Sequence, residues 1–407
     1  MDLTVAWRNI WRNPRRTAVL MIAVIVGVWS MVFLTSLMRG MVEGMIETGI
    51  STLAGDVKIS AQGFASDPSL ENRIRDPEQL VRKIRSRLPQ DARMATRIRV
   101  NAVAQNARHS AGVTLVGIDP GQEASVSFIG EGVAAGTMLE PGDHRGIVVG
   151  EALVEKFETD LGYKLILMSE NANNEIASRA FRIRGIFGAE LESTEKGYLF
   201  VSKAAASGML GIGPDISEIS IRLENHHLAD AVAGEIASAL DTTRYTVRSW
   251  RELLPMLEAY IQIFNGFILL WYLVVFVAMA FGIINTTLMA VFERMREFGL
   301  LKALGMRPWW ILRSVLMESF FILLIGAVAG NALALPLVYA LGRYGIDLSA
   351  FSAGFEYAGM SAVIRPELFA ADLVLANAVV ICLGLAVSAY PAARAARITP
   401  VEAMSRG

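Results

Sequence analysis

The chain has 407 residues, 53% of them hydrophobic and 19% charged, with a mean hydropathy of +0.43. That is too apolar for an ordinary soluble domain of this length, so membrane insertion is the first expectation. A net charge of −1 gives no electrostatic case for nucleic-acid binding, and a single cysteine, Cys382, excludes an intramolecular disulfide.

Residues 2–12 place Leu3, Trp7, Ile10 and Trp11 on one helical face, with Arg8 and Arg12 elsewhere on the turn. This pattern predicts a short interfacial helix, within residues 1–16, at the headgroup level that tryptophan favours. Asn13 suits an N-cap and Pro14 a first helical position. Thr17 to Met38 carries no charge and is long enough to span a bilayer, giving a first crossing over 17–39. Arg15 and Arg16 ahead of an apolar run also fit a signal peptide. The run is long for that, and no small-x-small cleavage site precedes Arg39, so an uncleaved anchor is expected.

Residues 40–260 have a different texture, with short β-rich runs, turns and many charges, and predict an α+β domain large enough for its own core. Strands are expected at Val57–Ser60, Arg97–Val103, Val113–Ile118, Ile147–Val149, Lys164–Leu167, Phe181–Phe187, Gly197–Val201 and Ile216–Leu223. Helices are expected at Pro77–Leu88, Glu151–Thr159, Lys203–Met209 and Ala229–Leu240.

The charge-free run 261–292 exceeds one bilayer crossing, so the second helix is expected to project as a stalk. A third crossing is predicted over 309–343 and a fourth over 372–393, separated by a loop at 344–371 containing Asp347, Glu356, Arg365 and Glu367. Basic residues cluster before the first helix (Arg8, Arg12, Arg15, Arg16), between the second and third (Arg294, Arg296, Lys302, Arg307) and after the fourth (Arg394, Arg397, Arg406). By the positive-inside rule these segments, including the 394–407 tail, are cytoplasmic, and the 40–260 domain and the 344–371 loop are extracytoplasmic. The fold class read from the sequence is therefore a membrane protein of four transmembrane helices with a large α+β extracytoplasmic domain between helices 1 and 2.

Between the second and third runs lies 293–308, Glu-Arg-Met-Arg-Glu-Phe-Gly-Leu-Leu-Lys-Ala-Leu-Gly-Met-Arg-Pro. Met295, Phe298, Leu301 and Leu304 recur at three-residue spacing, close enough to the helical period to predict an apolar stripe that docks onto something. This segment resembles the cytoplasmic segment after the second membrane helix of the FtsX-like permeases, the superfamily of FtsX, MacB and LolC/LolE. The run Gly146-Ile-Val-Val-Gly-Glu-Ala-Leu, then Leu161-Gly-Tyr-Lys-Leu and Phe181-x-Ile-x-Gly-Ile-Phe, resembles the extracytoplasmic domain of MacB and LolC/LolE, and the end from Tyr390 to Met404 is similar to the family's closing motif. The LolC/LolE type fits best, because the chain begins directly with the interfacial helix whereas MacB fuses its ATPase, and FtsX generally has a smaller extracytoplasmic domain.

The resemblance implies a permease of an ABC transporter in a bacterial inner membrane, working by mechanotransmission. An ATPase dimer in trans would dock on Glu293, Arg294, Arg296, Glu297, Phe298, Gly299, Leu301, Lys302, Leu304 and Gly305. It also implies a second permease copy, identical or related, and most readily the release of lipoproteins to a periplasmic acceptor. The alternatives are MacB-like efflux of peptides or drugs and FtsX-like signalling to a cell-wall hydrolase. No Gly-x-x-x-x-Gly-Lys-Ser/Thr sequence occurs, so this chain is read as no enzyme and as binding no cofactor itself, with ATP and Mg²⁺ held by the partner.

Among polar residues in the apolar runs, Glu318 either marks a functional site or, only about seven residues into its crossing, snorkels or pairs with Arg313, the reading preferred here. Asn265 and Asn285 are candidates for hydrogen bonds between helices, and Gly326-Ala-Val-Ala-Gly330 for a close-packing face. His109, His144, His226 and His227 lack metal-ligand spacing, and no nucleophile elbow is present, so neither a metal site nor a catalytic constellation is expected.

Overall fold

A computed structural model describes residues 7–130, 133–189, 191–348 and 363–399. Leu3, Glu356, Arg406 and the closing residues Pro400 to Met404 lie outside these. The described residues form two units, each taken by itself below. One comprises the described parts of Met1–Gly44, Ile261–Ala350 and Val363–Gly407, and the other is Met45–Tyr260.

Helix α1, Pro14–Gly49, starts at the expected proline and runs well past Arg39. The boundary expected at residue 40 therefore falls inside a helix. Arg39, Glu43 and Glu47 end the charge-free run, but none of them breaks helical backbone.

The second unit then follows in chain order: β1 Val57–Ala61, α2 Glu78–Arg85, β2 Arg93–Gln105, β3 Ser110–Ile118, β4 Val133–Gly136, β5 Gly146–Gly150, α3 Glu151–Lys156, β6 Lys164–Glu170, β7 Ile176–Phe187, β8 Tyr198–Ser202, α4 Lys203–Leu210, β9 Glu218–Arg222, α5 Ala229–Ala239 and β10 Tyr245–Ser249. These strands build one sheet in the order β10-β1-β9-β2-β3-β8-β5-β7-β4, with β6 joining β2 and β7. The central pairs β3/β8 and β5/β7 are parallel, while the β2/β3 hairpin and the β1 pairs are antiparallel. Strand β1 pairs with β10, Val57 opposite Ser249, so the chain enters and leaves the domain side by side.

Successive residues of a strand point to opposite faces, and here both faces are buried. Leu115, Ile147, Val149, Leu199 and Val201 enter one core, with Leu153 of α3 and Ala205 of α4. Their neighbours Val116, Val148 and Phe200 enter a second, with Phe187 and Leu53. Double burial explains why β5 reads Ile-Val-Val without alternation. The expected strands and helices all have counterparts; β4 and β10 were not foreseen. Among the described residues β10 pairs only with β1, and its run Tyr-Thr-Val-Arg-Ser is mostly half-buried, so its apolar signal is weak.

Beyond the domain follow α6 Pro255–Glu293, α7 Met295–Ala303, α8 Pro308–Tyr344 and α9 Ala370–Arg397, with a short β11 Ile346–Asp347/β12 Val363–Ile364 pair between the last two. Together with α1, the three helices α6, α8 and α9 are long and apolar enough to cross a membrane. In the first unit Val24, Val28, Met31, Tyr272, Met279, Leu323 and Val380 share a core. Gly326 and Gly330 lie against α1. A Cβ would sit 2.6 Å from Val24 Cγ1 at Gly326 and 2.8 Å from Val28 Cβ at Gly330, so α8 meets α1 at a separation only glycine permits.

Candidate functional site

The 293–308 segment folds as predicted into a short helix, α7, set off by Arg294 before it and Gly305 after it. Gly305 adopts φ +92°, and Pro308 opens α8. Its apolar stripe does not stay on one face. Three-residue steps advance 300° round a helix, so the stripe slips about 60° per step and half a turn between Met295 and Leu304. Phe298, 3% exposed, packs with Val291, Ile311, Val315, Ala392 and Ala395, and Leu301 leans on the same cluster. Gly299 is buried, whereas Leu304 is 78% exposed.

The charged residues divide in the same way. Glu293 Oε2 accepts from Asn13 Nδ2 at 2.7 Å and Arg16 Nη1 at 2.6 Å. Glu297 takes a two-pronged bridge from Arg12, one prong at 3.1 Å, and that hydrogen bond holds its carboxyl below the usual carboxylate range. Arg294 Nη1 donates to both oxygens of Glu318, at 2.7 and 2.9 Å, with its guanidinium over the Phe298 ring. Asn9 Nδ2 completes the Glu318 site at 2.7 Å. Glu318 is thus held by Arg294 and Asn9, rather than by the Arg313 favoured from sequence; Arg313 lies over the Trp310 ring. A cavity of about 30 Å³ adjoins this pair, lined in part by Thr17, Thr287 and Ser319.

Lys302 turns to a third neighbour. Its ammonium donates to the carbonyls of Ala396 at 2.8 Å and Ile398 at 2.7 Å, and so caps the C-terminus of α9. With Glu293, Arg294, Glu297 and Lys302 paired within the chain and Phe298 and Leu301 packed, the outward face of α7 and its C-cap is Arg296, Leu300 and Leu304, at four-residue spacing. Leu300 is 59% exposed, and the exposed Met306, Arg307, Trp309 and Trp310 continue beyond it. Arg12, Asn13, Arg16 and Leu300 were not among the docking residues expected from the sequence, where Asn13 was read only as an N-cap. The i, i+4 spacing of Arg12 and Arg16 was the available signal, and it served there only to set orientation.

Of the intramembrane polar candidates, Asn265 accepts from Arg39 Nη1 at 2.8 Å, and Arg39 also grips Asp372 at 2.7 and 3.0 Å, joining α1, α6 and α9. Asn285 lies exposed on α6. An unforeseen pair, Asn331 and Asn377, joins α8 to α9 at 2.7 Å. After the short β-pair the chain runs against α1, where Glu367 N donates to Ser36 O at 2.8 Å.

Comparison with known proteins matches residues 17–239 to the MacB-like periplasmic core domain and residues 268–400 to the FtsX-like permease C-terminal family. The chain is 22% identical over 329 residues to the lipoprotein-releasing system transmembrane protein LolC of Xylella fastidiosa, covering 78% of each chain. It is 30% identical over 125 residues to the macrolide export ATP-binding/permease protein MacB of Pectobacterium atrosepticum, covering 31% of this chain and 17% of that one. Among solved structures, the periplasmic region of MacB from Actinobacillus actinomycetemcomitans aligns with 52% of this chain and 94% of its own at 13% identity, with a TM-score of 0.34.

Proposed function

Because this chain belongs to the FtsX-like permeases with a MacB-like periplasmic core domain, and is thereby an ABC transporter permease, we propose that the outward face of α7 is where an ATPase on another chain docks. The observation that carries this is the exposure of Leu300 and Leu304 on a helix whose other faces are tied by ion pairs and packing. Exposed leucines rimmed by Arg296 and Arg307 are an apolar anchor with a charged border, the composition of an interface. The ATPase dimer holds ATP and Mg²⁺. Its closure pushes α7, and the long helices pass that push to the core domain, which is the mechanotransmission reading. The basic residues flanking the helices favour cytoplasmic termini and a periplasmic core domain in the inner membrane. A second permease copy, identical or related, pairs along the exposed apolar side of α6, where Phe267, Leu270, Val274 and Phe281 face outward.

The cargo reading is lipoprotein release to a periplasmic acceptor, supported by the LolC relative matching over 78% of both chains. The macrolide-export relative supports export of a small molecule or peptide as the second reading.

The test is Leu300→Glu with Leu304→Glu, purified in mild detergent. The variant inserts normally and loses its ATPase, whereas the wild type carries an ATPase and acylated lipoproteins identifiable by mass spectrometry. An ATPase retained at wild-type stoichiometry would overturn the docking face; a wild-type complex containing a membrane-fusion protein and no lipoprotein would move the cargo to the second reading. Reversing Glu293 and Glu297 is the less discriminating experiment, since both hold the N-terminal segment.

A further inference from the structure

Helix α1 ends in a distorted turn, Ile50–Ala54, in which the Thr48 carbonyl accepts from the hydroxyls of Ser51 at 3.1 Å and Thr52 at 2.7 Å. The backbone leaves the helix at Thr52 and enters the left-handed region at Leu53, φ 65° and ψ −3°, before Gly55 at φ 71°. For leucine that conformation costs about 1–2 kcal/mol and survives only where the surroundings dictate it.

Two features dictate it. The Leu53 side chain, 2% exposed, packs with Val116, Ile118, Phe187 and Phe200. Its carbonyl accepts from Arg97 Nη1 at 2.7 Å. Arg97 is 0% exposed, and its remaining bonds go to the equally buried Glu123, at 2.6 Å from Nη2 and 3.0 to 3.1 Å from Nε. The Ser127 hydroxyl donates to Glu123 in turn, and Glu218 lies 3.5 Å from Arg97 Nη1. A buried pair of this kind adds little net stability over apolar residues of similar size, so what it supplies is geometry. One guanidinium donor is fixed on the carbonyl at which the helix becomes domain. The next residues are pinned as well: Asp56 N donates to Ile221 O at 2.8 Å, and Leu223 N donates to Asp56 Oδ2 at 2.8 Å. The exit into α6 is built differently, through Leu254 at φ −123°, ψ 62° and Pro255, which has no N–H to give.

We infer that Arg97 is a positioning residue that latches the end of α1 to the core domain through the Leu53 carbonyl, so that α1 drives the domain as a rigid strut. This role rests on the mechanotransmission reading above. Arg97→Met alone strands Glu123 in the core, so the informative variant is Arg97→Met with Glu123→Leu. It removes the buried charges as a pair, leaves Glu218 with Lys58 and Arg99, takes the acceptor from the Ser127 hydroxyl, and deprives the Leu53 carbonyl of its donor.

The experiment is hydrogen exchange by mass spectrometry on the full chain with its ATPase in lipid nanodiscs, with and without ATP. In the wild type, residues 50–57 stay protected in both states while ATP changes exchange within the domain. In the double variant, the unfolding midpoint of the domain stays near wild type, residues 50–57 exchange about tenfold faster or more, and the ATP response of the domain is lost. Retention of the ATP response in the folded double variant would overturn the latch and leave the mechanotransmission reading standing. A wild-type domain that does not respond to ATP would overturn both.

Discussion

The start of α1 and its far end are both tied down by arginine, under opposite physical conditions. At the start, Arg12 and Glu297 are 53% and 44% exposed, and Arg16 and Glu293 are 25% and 38% exposed. At the far end, Arg97, Glu123 and Glu218 are all 0% exposed. Exposed pairs are worth about 0–1 kcal/mol and are screened by salt. Buried pairs gain little over an apolar core, yet losing one partner costs several kcal/mol. The contrast teaches that the same residue types make a solvent-screened, easily remade hold beside α7 and a permanent one in the domain.

The comparison breaks most visibly at Arg97. Arg97→Met is expected to destabilise the domain by about 3–5 kcal/mol in denaturant unfolding, with most of that recovered when Glu123→Leu is added. A loss as small as that of an exposed pair would remove the distinction.

A smaller effect should appear on titration. Burial lowers the Lys58 ammonium to about 8 from 10.5, despite the opposing pull of Glu218. Between those values the unfolded chain holds a proton that the folded domain has released, so stability rises with pH across the window and is flat with respect to this group below it. Lys58→Met should flatten the rise in thermal unfolding followed from pH 7.5 to 10.5. Glu218 runs the other way. Burial raises it, but Lys58, Arg99 and Arg97 outweigh burial and hold it down, so its contribution is present at neutral pH and fades in acid as the folded carboxyl takes up its proton.

Lys302 sits between the two extremes, half-buried with two carbonyl partners. Lys302→Met should cost about 1–2 kcal/mol, read as a lower melting temperature in detergent. The smallest effect is expected at the exposed pairs ahead of α1. Arg12→Glu or Glu297→Arg alone should shift stability by about 1 kcal/mol or less and mostly at low salt, with the exchanged pair restoring it. A salt-independent loss there would mean that this hold behaves like the buried one.

Much of the fold was legible because its signals are local. Charge-free runs located α1, α6, α8 and α9, and period-two or continuous apolar stretches located β1 to β3 and β5 to β9. The candidate site was legible as a segment but not as a surface. Counting threes suggested that Met295, Phe298, Leu301 and Leu304 share a face, while the 100° helical step turns Phe298 into the core and Leu304 out of it. Glu293 and Glu297 read as outward charges, since nothing near them in the sequence shows that Arg16 and Arg12 wait some 280 positions earlier.

By itself, then, the sequence determined which stretches enter the membrane, which segment joins the second and third crossings, and that a large α+β domain is inserted after the first. Those properties follow from composition and periodicity within a few turns of chain. Only the tertiary structure decided which charges face partners within the chain, that Glu318 belongs to Arg294 and Asn9, and that Leu53 is bent into the left-handed region beneath Arg97. Ion pairs and hydrogen bonds act over a few ångströms of space, whatever the separation along the chain, so their partners are fixed only when the elements have packed.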